Sequence, residues 1–117
     1  MCPVALQGPA LEGLKTFFGY LISVQKHNEH LTLKYVLPTL FDRRTRQCFE
    51  IYRKLKRLFA KQICDPIRHN VRLCEAASAG RTIHEFAGSA TGAEDYRKLT
   101  RRLIDDGIRA EQVPRFF

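Results

Sequence analysis

The chain has 117 residues, 44% of them hydrophobic and eight of them phenylalanine, enough apolar material for one compact unit and too much for a chain disordered throughout. Twenty lysines and arginines against twelve acidic residues give a net charge of +8, which directs attention to polyanionic partners. No apolar run reaches membrane-spanning length and the amino terminus lacks the basic-then-apolar order of a secretory signal, so the expected location is cytoplasmic.

In chain order, a short strand over Val4–Leu6 leads through Gly8-Pro9 into a helix carrying Leu11, Leu14, Phe17, Phe18, Leu21 and Ile22 and ending near His27. Leu33–Leu40 reads as a buried strand. Pro38 within it cannot donate a ladder hydrogen bond, so pairing should bend, stop or face an edge there. A basic amphipathic helix follows: Cys48, Ile51, Tyr52, Leu55, Leu58, Phe59 and Ile63 form one apolar stripe, while Arg53, Lys54, Lys56, Arg57 and Lys61 point elsewhere. Gln62–Ile67 reads as a third short strand, Asn70–Ala79 as a short helix capped by Asn70 and ended by Gly80, and Thr82–Phe86 as an extended segment. The last helix opens on Thr91 and Glu94 at capping-box spacing, and Ala93, Tyr96, Leu99, Leu103 and Ile104 line its inner face before Gly107. Its outer face holds Arg97, Lys98, Arg101 and Arg102, and the ten residues 108–117 read as a flexible tail, with a docking role for the terminal Phe116-Phe117 as the alternative. Strands alternating with helices imply an α/β fold with a parallel sheet covered on both faces by right-handed crossovers.

The charge is concentrated. Residues 42–62 hold eight basic and two acidic side chains. Asp42 and Thr45 are candidate N-caps, and Arg43, Arg44 and Arg46 crowd the turn before the basic helix, where free backbone N–H groups already favour anions. Arg72 repeats the arrangement in the first turn after Asn70. Cations at helix starts oppose the helix dipole, so an external polyanion that pairs with them is a reasonable inference; pairing with Asp42 and Glu75 is the plainer alternative. Cys2, Cys48, Cys64 and Cys74 form no C-x-x-C pair and are expected to be reduced. His27, His30, His69 and His84 show no metal-ligand spacing, and neither Ser78 nor Ser89 lies in a nucleophile motif.

The order VALQGPALEGL, VLPTLFDRRTR, IRHNVRLCEAASAG and TGAEDYRKL closely resembles the carboxy-terminal half of ParA/Soj-type chromosome and plasmid partitioning ATPases, relatives of MinD, over roughly residues 3–106. The resemblance implies a partial P-loop-NTPase-like sheet of the deviant Walker type, with residues 1–107 as the family portion. It implies that Arg44 and Arg72 contribute to non-specific duplex-DNA binding in a nucleoid-associated protein; Arg43 and Arg46, with Arg97, Arg101 and Arg102, would widen that positive surface. It places the nucleotide base near Thr39, Asp42, Arg68 and Asn70, with ATP and magnesium as cofactors of the full-length family.

The departures bear on activity. No Gly-Lys-Thr or Gly-Lys-Ser occurs, so the glycine-rich loop, its lysine and its metal-binding hydroxyl are missing from this chain, and hydrolysis by these residues alone is not expected. Arg68 stands where the family usually has proline, and Ala77 and Ala79 replace its usual proline and histidine. The leading expectation is a truncated or split partitioning protein that keeps the DNA-facing surface. Alternatives are the carboxy-terminal part of an ATPase active only with its P-loop half, and an interaction module that regulates a full-length ParA. Because the family's missing strands lie mid-sheet, exposed apolar edges would call for a homodimer or a complementary amino-terminal half. A ParB-like partner follows from the resemblance alone.

Overall fold

Strand β1 (Cys2–Ala5) alternates strictly: Cys2 and Val4 are buried, Pro3 and Ala5 exposed. The strand begins two residues earlier than its apolar run indicated, yet pairing continues past it, because the Leu6 N–H still donates to the Thr39 carbonyl at 3.0 Å. The computed structural model describes residues 1–107, so the terminal phenylalanines and the tail expected to be flexible lie outside the described residues. Helix α1 (Ala10–Gln25) starts directly after Pro9 and buries Leu14, with Leu11, Phe17, Phe18 and Leu21 half-buried; Ile22 faces solvent. Its last carbonyls are closed by the N–H groups of His27 and Asn28, which both return to Val24.

Strand β2 (Val36–Thr39) is half the length its apolar run predicted and pairs parallel to β1, from Cys2 opposite Val36 to Ala5 opposite Thr39. Leu40, at φ 54°, ends it in the left-handed region. The third strand expected over Gln62–Ile67 does not form; only isolated bridges join Val36 to Ile63 and Phe41 to Arg68. The reason is a pair of prolines. Val36 donates to Gln62 and accepts from Cys64, and in that register the next two ladder donors would be the nitrogens of Pro38 and Pro66, neither of which carries hydrogen. Ile67 reaches the Pro38 carbonyl instead, at 2.9 Å, one residue out of step. The sequence flagged Pro38; Pro66 completes the interruption.

Helix α2 (Arg46–Leu58) covers this small sheet with Cys48, Ile51 and Leu55 buried at helical spacing. Thr45 is its cap, its hydroxyl accepting the Cys48 N–H at 3.4 Å. The stripe stops short of its predicted end: Leu58 is 66% exposed, Phe59 is the C-cap, and Ile63 belongs to the bridge with Val36. Leu6, Val36 and Leu55 form the driest part of the core, and complete burial of such a side chain stabilises by about 1.5–3 kcal/mol. Phe41 ties the end of β2 to α2, with ring centroids 5.1 Å from Phe49 and 5.6 Å from Tyr52.

Residues Met1–His69 form one compact unit, and a second begins at Asn70. In the second, α3 (Val71–Ser78) is capped by Asn70, whose side-chain oxygen accepts the Arg72 N–H at 2.9 Å. Its end is a Schellman arrangement: Arg81 donates to Ala76, Gly80 to Ala77, and Gly80 takes φ 67° as this turn requires. Thr82–Phe86 is not extended. It holds α4 (Ile83–Ala87), started by Thr82, whose hydroxyl accepts the Glu85 N–H at 3.2 Å and contacts the Glu85 carboxylate at 3.0 Å. Thr-x-x-Glu is a start signal that lay unread in the sequence. Helix α5 (Thr91–Asp105) starts one residue ahead of the expected Thr91–Glu94 box: Ala90 is its N-cap, the Glu94 N–H donates to the Ala90 carbonyl, and the Thr91 hydroxyl accepts from Asn70 at 2.8 Å. Ala76, Ile83 and Ala93 are the buried centre, flanked by Leu73, Phe86 and Tyr96; Ile104, assigned to the inner face, is 64% exposed. The architecture is α/β, a two-stranded parallel sheet with flanking helices, and no helix among the described residues is long and apolar enough to cross a membrane.

Candidate nucleic-acid interface

The chain leaves β2 at Thr39, passes the left-handed Leu40, anchors Phe41 and turns through Asp42 into α2. Asp42 does not cap the helix. One of its carboxylate oxygens accepts both the Arg44 backbone N–H at 3.0 Å and Arg44 Nε at 3.2 Å, while the other accepts Nη2 at 3.2 Å. This short loop is an Asx-type turn closed by a bidentate ion pair. The Arg44 hydrogen bonds hold the Asp42 carboxyl below the usual carboxylate range, with a smaller contribution from His69.

The arginine is oriented without being hidden: its side chain is 85% exposed. Arg43 is exposed beside it, and Arg46, the first residue of α2, pairs with Glu50 at 3.3 Å while remaining 93% exposed. No acidic residue occupies the first turn of α2, so the positive end of the helix dipole adds to these guanidinium groups rather than being offset.

In the second unit, Arg72 follows the same pattern. Its backbone is fixed by the Asn70 cap, its guanidinium pairs with Glu75 at 3.0 Å, and the first turn of α3 has no acidic residue. Arg72 lines a hollow of about 510 Å³ with Asn70, Ser89 and Thr91. Neither Ser89 nor Thr91 was singled out as a site residue, and a bond between residues 21 apart leaves no periodic trace. On α5, Lys98 pairs with Glu94 and Arg102 with Asp106, Arg97 donates to the Gly88 carbonyl, and Arg101 is exposed.

The residues read as base-side divide between the units. Thr39 and Asp42 follow one strand end, and Arg68 is bridged to Phe41 beside them; Asn70 belongs to the second unit as the α3 cap. The far end of a nucleoside triphosphate fits these residues poorly. Among the described residues no three His, Cys, Asp or Glu side chains could share a metal ion, and no glycine-rich loop with a following lysine presents N–H groups to phosphates. No chemical step through ATP or magnesium follows from them.

No family model matches the chain. Among curated proteins it is 35% identical over 107 residues to the sporulation initiation inhibitor protein Soj of Bacillus subtilis, covering 90% of this chain and 42% of that protein. The chromosome-partitioning ATPase Soj of Thermus thermophilus is 34% identical over 104 residues, 87% of this chain and 42% of the relative. The chromosome partitioning protein ParA of Myxococcus xanthus is 30% identical over 106 residues, 89% and 38% respectively. The chain thus spans about two fifths of the length of the curated relatives it matches.

Proposed function

We propose, from the premise that this chain belongs with the Soj and ParA chromosome-partitioning ATPases, that it holds duplex DNA by its phosphates without reading sequence, through Arg44 from one unit and Arg72 from the other. The observation that carries the reading is Arg44 itself. It is exposed, aimed by Asp42, and stands just ahead of a helix whose first turn holds no acidic residue. A phosphate has the same bidentate geometry as the carboxylate that now holds the guanidinium, so it can take over the fork with little reordering of the side chain. Glu75 plays the corresponding part for Arg72. Arg43 and Arg46 widen the positive surface of the first unit.

Contacts of this kind are independent of base identity, because base edges are not engaged. Their signature is salt dependence, with log affinity falling by about 0.9 per decade of salt for each phosphate neutralised. A role in chromosome or plasmid partition, a cytoplasmic nucleoid-associated location, a ParB-like partner and pairing with a second copy or a ParA-like amino-terminal half belong to the same proposal. ATP and magnesium would act through a phosphate-binding loop that these residues do not contain, with Thr39, Asp42, Arg68 and Asn70 as the base-side contacts.

The test is fluorescence anisotropy with a labelled random-sequence duplex across a salt series. The double replacement Arg44→Ala, Arg72→Ala should weaken binding and flatten the slope by about 1.8, two phosphates' worth. Unchanged affinity and slope in that variant would sink the assignment.

A further inference from the structure

Within the first unit, α1 and α2 leave between them a trough of about 770 Å³. Leu14 and Phe18 of α1 line it together with Phe59, and the Phe18 and Phe59 rings stack with centroids 5.6 Å apart, forming its apolar floor. Leu58 stands on one bank, two-thirds exposed, the most open large apolar side chain of α2. Both banks are cationic. Lys15 rises from α1, and Lys54 and Arg57 rise from α2. No carboxylate lines the trough, and among the described residues none of the three cations enters an ion pair.

We propose that this trough docks an acidic amphipathic helix of a partner protein. The floor requires an apolar face and the banks require negative charge on either side of it, which is the pattern of a helix with leucine-type anchors flanked by glutamates. The α1 lining residues recur at 11, 14, 15 and 18, the spacing of a helical ridge, so the trough runs along a helix and takes a helix laid lengthwise. Charge excludes the nearest competitors. A second copy of this chain carries a net charge of +8 and would set cations against cations, and duplex DNA offers phosphates but no apolar face for the floor. Neither Arg44 nor Arg72 is among the lining residues.

The probe is a fluorescein-labelled peptide about four turns long, leucines on one face and glutamates on both flanks, with a lysine-flanked peptide of the same apolar face as its counterpart. Anisotropy should show saturable binding of the glutamate peptide to the full chain, with amide shifts at Phe18, Leu58 and Phe59, and none of the lysine peptide. Lys54→Glu with Arg57→Glu should weaken binding about tenfold or more, and Leu58→Glu comparably, since both change exposed side chains. If the reversed pair loses its far-ultraviolet helix signal, Lys54→Gln with Arg57→Gln replaces it and should still weaken binding. Arg44→Ala with Arg72→Ala should leave peptide affinity unchanged, which separates this site from the DNA contacts. The proposal is overturned by an unsaturable glutamate peptide, by equal binding of the lysine peptide, or by indifference to the charge changes. It is equally overturned if phosphatidylglycerol vesicles, or a second copy at rising concentration, shift those amides while the peptide does not.

Discussion

Gly92, the second residue of α5, lies beneath Leu73 of α3, and replacing it with alanine tests how the second unit is packed. A β-carbon there would meet Leu73 Cγ at 2.8 Å and its two methyls at 3.0 and 3.1 Å. Carbon atoms not bonded to each other settle at about 3.5–4.0 Å, so the leucine or the helix must retreat by about 0.7 Å or more. Such overpacking costs about 1–3 kcal/mol. Against it stands the helix preference of alanine over glycine, at most about 1 kcal/mol and less in a first turn. Gly92 has no left-handed φ, so backbone freedom is not why glycine is there. Gly92→Ala should therefore destabilise this unit by about 1–2 kcal/mol net. Leu73 is only half-buried, and Leu73→Ala alone should cost less than the 2–5 kcal/mol of a fully buried leucine. Together the two should cost less than their sum by about 1–2 kcal/mol, because the new methyl occupies the vacated space. Native-state hydrogen exchange of α3 and α5 amides reads the unit directly, with α2 amides as an internal standard. Raised protection in Gly92→Ala, or additivity in the double variant, would refute this account of the contact.

The remaining predictions use other local features. Thr82→Ala removes the cap of α4 and should lower the exchange protection of the second unit by about 1 kcal/mol, with no change in the first. Asp42 should titrate below its ordinary 3.8 in a carbon-detected carboxyl titration and return towards it in Arg44→Ala. Since its folded value lies below the unfolded one, its contribution to stability is complete above about pH 4 and is lost as pH falls through the folded value; Asp42→Asn should remove that part of the acid dependence. Iodoacetamide should modify the exposed Cys74 first, whereas Cys2, Cys48 and Cys64 are buried and Cys2 is further slowed by the rise in its thiol pKa on burial. Mass spectrometry of the native protein finding early loss of Cys48 would contradict its burial on the inner face of α2.

What could be read from the chain was what is decided within one helical turn. Thr45 and Asn70 cap because a short polar side chain reaches an N–H two or three residues on, and Gly80 ends α3 because Arg81 and Gly80 reach back over one turn. The partners of Arg44 and Arg72 were legible for the same reason, since Asp42 is two residues away and Glu75 three. The four motifs pointed to the Soj and ParA relatives, and that resemblance is borne out over about nine tenths of the chain. The Thr82-x-x-Glu85 start was equally local, although the segment reads as extended without it. Other differences are of another kind. The lost third strand depends on Pro66 coming opposite the Pro38 region in one particular register, and the partner of the Thr91 hydroxyl is Asn70, which arrives from the start of another helix. Tertiary arrival decides such cases, and periodicity carries no record of it. The same division orders the site. Residue type and place at a helix start single out Arg44 and Arg72 from the sequence, whereas the trough beside Lys15, Lys54 and Arg57 exists only once α1 and α2 pack together over Phe18 and Phe59.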